Sequence, residues 1–405
     1  MTRHCGSPAS QRWLILTVIV LAQTVANVGP LGIPAIASVI RDDLALTLTQ
    51  AGSFLSVYYF GPVTMSFFAG MLADRWGTAK TLVLGQALIA TGLLVASAAG
   101  SYGALLAVLG IAGVGYGVLN PASTTAAMAW FPPRQRATVV GLKQVGLPFG
   151  GMIGAALLPA LALRLGWRWA IASTALLIVA CAALSATIYR DPPAPDAAPR
   201  GAPGAGRAAV VEVLRSRDLW LVAIATLVFA AMQTVWMAFL SLYLQEIVGL
   251  ALLAASRYLA LAQAGGVLGR IAFGVLSDRT FGGRRRMPLV IAGCGSAACS
   301  VILAFTGAAA GARLLVPLAL VFGFFGIGWN GVQHTLMAEL AGPRSAGTAV
   351  GLGLAISSTG VMLGPPVFGA CVTAAGGYRG PWIGLAVVML AGLALLGLVR
   401  ERARF

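Results

Sequence analysis

The sequence predicts an all-α polytopic membrane protein with 12 transmembrane helices arranged as two six-helix repeats. Of its 405 residues, 59% are hydrophobic and only 9% are charged, which is too apolar for a water-soluble domain. Apolar runs of about 20 residues, the length that crosses a bilayer, recur 12 times along the chain. The two halves of the chain also share residues at constant spacings, which indicates a duplicated unit.

Each apolar run is expected to form a helix, because lipid offers no hydrogen-bond partner to free backbone groups. The first run follows a short basic tail, as in a secretory signal peptide, but it is too long for one and contains Pro30 and Pro34. We therefore expect it to be retained as a span. The runs cover residues 13–40, 50–72, 81–99, 103–130, 138–163, 169–189, 219–248, 255–276, 289–309, 314–340, 347–374 and 381–399.

The basic residues lie in short gaps between the apolar runs, so they indicate membrane topology and no nucleic-acid partner. With both termini in the cytoplasm, 19 Lys and Arg residues fall on the cytoplasmic side and six on the opposite side. This asymmetry is what the positive-inside rule requires. We expect a multi-pass protein of the cytoplasmic (inner) membrane, surrounded by the lipid bilayer and acting as a monomer.

A proline-rich segment divides the chain in two. Residues 190–218 carry five prolines in their first half, which is typical of a linker, and a short interfacial helix is expected near 208–216. The predicted domains are an N-terminal six-helix bundle (1–189), a cytoplasmic linker (190–218) and a C-terminal six-helix bundle (219–405).

The two halves repeat at two offsets. At an offset of 210, residues 23–25 recur as 233–235, and the same offset links Gly113 with Gly323 and Asn120 with Asn330. At an offset of 204, residues 70–75 match 274–279 at four positions. Parallel repeats of this kind place a substrate site at their interface near the bilayer midplane.

Two segments resemble the signature of the major facilitator superfamily. GMLADRWGTAK (residues 70–80) resembles its form between spans two and three, and GVLSDRTFGGRRR (274–286) resembles its counterpart between spans eight and nine. A glycine permits a tight turn there, and an acid lies near a helix N-terminus. The resemblance implies the major facilitator fold and a cytoplasmic gate that holds the outward-facing state. The gate residues would be Gly70, Asp74, Arg75, Gly274, Asp278 and Arg279. The alternative is that these residues only orient the helices.

A narrower resemblance concerns residues 131–151 and 269–279, which are similar to the monocarboxylate transporters. Those proteins place an arginine in span eight, as Arg270 is here, to hold the substrate carboxylate, and the oxalate/formate antiporters and cyanate permeases have comparable layouts. Here Gly266 stands four residues before Arg270, where the carriers have an acid.

Drug/proton antiporters usually carry an arginine in span four, at the position that Leu109 occupies here, so drug export is disfavoured.

Arg270 is the strongest candidate for a binding residue. It lies eight residues before Asp278, roughly 12 Å inside an apolar helix, where a charge costs at least ~2.5 kcal/mol. Its planar fork of donors matches a carboxylate; the alternative is a structural arginine that bonds neighbouring carbonyls.

Lys143, roughly 10 Å into span five, either faces the same cavity or extends to the membrane surface. Because no acid lies at comparable depth, two inward-facing cations would favour an anion.

His334 is the only histidine inside a predicted span, and an imidazole suits proton coupling, although packing is the alternative. The other candidates are polar or amphipathic residues in apolar spans, many of them in spans one, four, seven and ten, which the superfamily resemblance says line the cavity. Interhelical hydrogen bonds of ~0.6 kcal/mol each are their alternative role. They are Gln23, Asn27, Tyr59, Asn120, Gln144, Gln233, Trp236, Gln263, Asn330 and Gln333.

These features together predict a secondary active transporter that moves a small organic anion, a carboxylate, by alternating access. The sequence contains no P-loop, so a coupling ion (H⁺) or a counter-anion would drive transport. We expect no cofactor and no enzymatic activity, because the sequence shows neither clustered metal ligands nor a Ser/His/Asp set. The alternative is proton-coupled efflux of a drug or metabolite.

Overall fold

The structure, a computed structural model, describes residues 8–131, 133–191, 211–281, 284–307, 311–342 and 345–401. Long apolar helices joined by short turns make up the first half. These helices are α1 (Pro8–Gly32), α2 (Ala37–Asp43), α3 (Leu48–Trp76), α4 (Thr78–Ala96), α5 (Tyr102–Trp130), α6 (Pro133–Leu165) and α7 (Trp167–Ile188).

The second half has the same character. Its helices are α8 (Arg217–Glu246), α9 (Leu252–Arg279), α10 (Arg286–Ala304), α11 (Ala312–Phe322), α12 (Asn330–Ala341), α13 (Ala346–Ala375) and α14 (Arg379–Gly397). Among the described residues, 11 helical stretches are long and apolar enough to cross a membrane. The remaining predicted span lies within the 29 residues of α3. The predicted all-α polytopic fold is therefore confirmed.

Two spans contain breaks that the sequence analysis did not foresee. Between α1 and α2, residues Ile33–Ile36 form a 3₁₀ helix that includes Pro34, whose missing N–H interrupts the α-helical hydrogen bonding. Between α11 and α12, residues Gly323–Ile327 form a turn of π-helix. Such π-turns are rare and are frequently found at functional sites, and this one lies beside α9.

The helices pack mainly within their own half of the chain, and two seams join the halves. In the first half α1 packs on α6, and α3 on α5; in the second, α8 packs on α13, and α10 on α14. The seams are formed by α3 against α13 and by α6 against α9. The α6–α9 seam is the more informative of the two, because it holds Arg270.

The bundle has two ends, which we call terminal and distal. The terminal end carries Pro8 and residue 401, and the distal end carries residues 37–50 and 245–252. At the distal end Ser38 Oγ donates to Gln245 Oε1 (2.9 Å), and Arg41 pairs with Glu246. These contacts tie the two halves together at the distal end.

The internal repeat also appears in the packing. A Cβ on Gly113 would overlap the carbonyl oxygen of Tyr58, and a Cβ on Gly323 would overlap that of Ala262. The glycines are related by the offset of 210, and the carbonyl residues by the offset of 204. Glycine is required at both positions, since the backbones of two helices meet there.

Candidate substrate-binding site

Arg270 lies on α9 at the seam with α6, where its guanidinium is only partly satisfied. Its Nη1 donates to the backbone oxygen of Gln144 at 2.6 Å, while its Nε is buried without a hydrogen-bond partner. The contact with Gln144 is made by the backbone, so the side chain of Gln144 is not what holds Arg270. Within the described part of the chain, Arg270 forms no ion pair.

Aromatic residues of the first half face Arg270. The phenols of Tyr59 and Tyr116 lie within electrostatic range of the guanidinium, and their ring centroids are 6.2 Å apart. Gln23 Nε2 donates to Tyr116 Oη at 3.0 Å, and Asn27 Nδ2 donates to the backbone oxygen of Gln23 at 2.6 Å. Helices α1, α3, α5 and α9 therefore converge on this point. Tyr116 was not predicted, although its place one helical turn before Asn120 could have indicated it.

Lys143 is fully buried, and its ammonium is bound by α5. Its Nζ donates to Asn120 O (3.0 Å), to Asn120 Oδ1 and to Thr124 Oγ1 (2.9 Å). All three acceptors are neutral, so the positive charge stays uncompensated by these bonds. Lys143 contributes to the field near the site, but its donors are already occupied.

In the second half, several predicted residues bond one another. Gln233 Oε1 accepts from Trp329 Nε1 (3.1 Å) and from Asn330 Nδ2 (3.2 Å). Trp236 is buried and stacks on Phe322 with ring centroids 3.7 Å apart. Its Nε1 donates to Ser300 Oγ at 2.8 Å, so the polar end of this side chain points into the packing against α10.

Two neighbours on α12 differ in burial. His334 is partly exposed and lies within electrostatic range of both Arg270 and Lys143. Gln333 is buried, and its Nε2, directed toward Gly353, has no hydrogen-bond partner. The coupling role predicted for His334 stays a prediction.

The structure therefore separates the predicted polar residues into satisfied and unsatisfied groups. A buried polar atom without a partner costs about 1–3 kcal/mol, so unsatisfied atoms are the ones that a ligand would most readily engage. Among the described residues these atoms include Asn27 Oδ1, Tyr58 Oη, Gln263 Nε2, Gln263 Oε1, Arg270 Nε and Gln333 Nε2.

The structure describes two side-chain positions of the predicted gate, Gly274 and Arg279. Gly274 lies on α9 with open space around the position of a Cβ, and Arg279 is exposed. Gly70, Asp74, Arg75 and Asp278 lie outside the residues whose side chains are described. The gating role stays a prediction.

The fold is a bundle of membrane-spanning helices, and comparison with known proteins identifies the family. The model of the Major Facilitator Superfamily matches residues 14–360. The chain belongs to this superfamily, as the signature segments indicated, and it is a transporter rather than an enzyme.

Relatives and solved structures agree with this assignment. The chain is 27% identical to the probable sulfoacetate transporter SauU of Cupriavidus necator, over 95% of this chain and 91% of that protein. It is 25% identical to the hexuronate transporter of Bacillus subtilis, over 89% and 88%. A bacterial homologue of the human lysosomal transporter Spinster, solved in an inward-facing and unoccupied conformation, shares the fold with a TM-score of 0.79 and 19% identity, over 96% and 97% of the two chains.

Proposed function

We propose that this transporter is a secondary carrier that moves a small organic anion, a carboxylate, by alternating access, and that Arg270 binds the carboxylate. The observation that carries the proposal is the partly satisfied guanidinium of Arg270. It has one bond to a backbone oxygen, a buried Nε without a partner, and no ion pair within the described residues. A substrate carboxylate would supply the missing charge and acceptors together.

The surroundings of Arg270 favour an anion over a cation. Lys143 and Arg270 both lie within electrostatic range of His334, so three basic groups share one region. Two relatives point the same way, because sulfoacetate and hexuronate are both organic anions. In this proposal Lys143 adds positive potential, and Gln23 and Asn27 shape the pocket by holding Tyr116.

The distal contacts suggest how access would alternate. The bundles 1–189 and 219–405 would rock about the site while the distal ties break and re-form, in a cytoplasmic membrane with both termini inside. His334 would carry the coupling proton, or a counter-anion would be exchanged. The signature residues, among them Gly274 and Arg279, would act as the cytoplasmic gate.

Ligand-induced thermal stabilisation of the purified protein tests the proposal. The panel comprises sulfoacetate, hexuronates, short monocarboxylates and lipophilic cations. A ligand at 100 times its dissociation constant should stabilise the wild type by ~2.7 kcal/mol. Arg270→Gln should abolish stabilisation by carboxylates, and Arg270→Lys should weaken it, since an ammonium lacks the planar fork.

Arg257→Gln is the matched control, because Arg257 lies exposed on the same helix. It should respond to carboxylates as the wild type does. Stabilisation by lipophilic cations in both the wild type and Arg270→Gln would contradict the proposal and make drug efflux the better interpretation.

A further inference from the structure

Gln263 is an unsatisfied polar side chain at the seam between α6 and α9. It is fully buried on α9, and neither its Nε2 nor its Oε1 has a hydrogen-bond partner. Its amide lies against Gly151 of α6, where an added Cβ would come within 2.6 Å of Nε2. A packing role leaves a donor and an acceptor unpaired, so packing alone does not account for a glutamine here.

A second unpaired atom lies at the same level of the bundle. Gly150 packs against the Cβ of Asn27 from α1, and Asn27 Oδ1 is also buried without a partner. Residues 150 and 151 of α6 are therefore flanked by one unpaired donor and two unpaired acceptors. A hydroxyl group, which donates one hydrogen bond and accepts others, is complementary to this set.

The spacing between Gln263 and Arg270 on α9 limits the length of a ligand that could bind both side chains. The two residues are seven apart on α9, and the residues of α6 that their side chains contact, Gln144 and Gly151, are also seven apart. The polar ends of the two side chains are therefore separated by about 10.5 Å along the axis. Two hydrogen bonds of about 3 Å leave roughly 4–5 Å for the ligand atoms between them. A two-carbon acid held by Arg270 is too short to reach Gln263, whereas an acid with a hydroxyl three or four carbons from the carboxylate is long enough.

We propose that the substrate is a hydroxylated carboxylate, with Gln263 as the residue that recognises its hydroxyl group while Arg270 holds the carboxylate. This inference rests on the proposed function of Arg270 and adds the substrate class. Gly151 contributes to this recognition, because the absence of a side chain there leaves room for the Gln263 amide. An aliphatic acid would occupy the same site but leave the unpaired atoms of Gln263 and Asn27 without partners.

Matched pairs of acids test the proposal on the full-length purified protein. We would measure dissociation constants by calorimetry for gluconate against hexanoate and for γ-hydroxybutyrate against butyrate. The wild type should bind the hydroxylated member of each pair at least about tenfold more tightly, the value of one good hydrogen bond. Gln263→Leu should reduce this preference to about twofold or less, while the affinity for hexanoate and butyrate is retained.

Two further variants make the result specific. Gly151→Ala should also reduce the preference, because its methyl group would displace the Gln263 amide. Gln86→Leu is the matched control, since Gln86 is a buried glutamine on α4 with an unpaired Oε1, and its Nε2 contacts Cys181 away from the seam. This control should keep the wild-type preference.

The outcomes separate this inference from the proposed function. Equal affinity of the wild type for both members of each pair, with binding still lost in Arg270→Gln, would overturn the role of Gln263 and leave that of Arg270 intact. An equal loss of affinity for both members in Gln263→Leu would make Gln263 structural and also overturn the inference. Absence of carboxylate binding in the wild type would overturn the proposed function itself.

Discussion

Lys143 and Arg270 are two deeply placed cations whose donors are used differently. The ammonium of Lys143 has three oxygen acceptors on α5, whereas the guanidinium of Arg270 has one on α6 and keeps a buried Nε unpaired. At the scale of the residue, Arg270 is therefore the cation able to form new bonds. Lys143 acts on an anion through its charge.

Lys143→Met should weaken carboxylate binding about tenfold, the size of a Coulomb interaction of 1–2 kcal/mol at an effective dielectric constant near 20. The fold should persist, because methionine fills a similar volume and removes the cost of burying an ammonium. Calorimetric titration with a bound carboxylate measures the change. Lys80→Met is the control, because Lys80 is the other lysine of the chain and is exposed; it should leave the affinity unchanged. Unchanged affinity in Lys143→Met itself would show that Lys143 only joins α5 to α6.

At the scale of the element, close helix crossings depend on individual glycines. Gly61, Gly113 and Gly117 bring the backbones of α3 and α5 together, and Gly323 does the same for the π-helical turn against α9. These contacts hold α3, which carries Tyr59, and α9, which carries Arg270. The geometry of the site thus depends on residues without side chains.

Gly113→Ala should destabilise the protein by about 1–3 kcal/mol, since the methyl group would overlap the carbonyl of Tyr58 and force α3 away. Gly110→Ala, one turn away, should be neutral or stabilising by up to ~1 kcal/mol, because its methyl group would meet only Val57 at 3.5 Å. Thermal unfolding in detergent distinguishes the two variants. Gly323→Ala should behave like Gly113→Ala, and equal stability of all three variants would contradict the crossing argument.

At the scale of the whole molecule, a polar cluster closes the distal end. Arg41 of the first half pairs with Glu246 of the second, and Tyr378 Oη donates to Glu246 Oε2 at 2.7 Å. Burial and the neighbouring carboxylate raise the pKa of Tyr378, so this phenol stays protonated as a donor. Glu246 is the shared acceptor, and its charge holds the two halves together.

Glu246→Gln should favour opening of the distal end by about two- to fivefold in population, the effect expected for an ion pair near the surface. Spin labels at Ala104 and Leu253, both exposed at this end, would report the opening as a longer distance in a cysteine-free background. Arg168→Gln is the control, because Arg168 pairs with Asp43 within the first half at 2.8 Å. An identical distance distribution in Glu246→Gln and the wild type would refute the closing role.

Much of the fold could be predicted because the membrane restricts the backbone. A run of about 20 apolar residues can only be a helix in lipid, so the spans could be read from the chain, and the family could be read from its signature segments. The position of Arg270 inside a span could be predicted for the same reason, because a charged residue stands out in an apolar run. The breaks at residues 33–36 and 323–327 were not predicted, since they depend on packing as well as on local sequence.

The partners of the polar side chains could not be predicted. Gln23 and Tyr116 are 93 residues apart, and only the packing of α1 against α5 brings them together. Packing of α6 against α5 occupies the donors of Lys143, and packing of α9 against α6 leaves both amide atoms of Gln263 unpaired. The sequence alone determined that this protein is a membrane-spanning helical bundle of the major facilitator superfamily with a cation in its interior. Only the tertiary structure decided which interior groups remain open to a ligand, because hydrogen-bond satisfaction depends on contacts between helices that are distant in the chain.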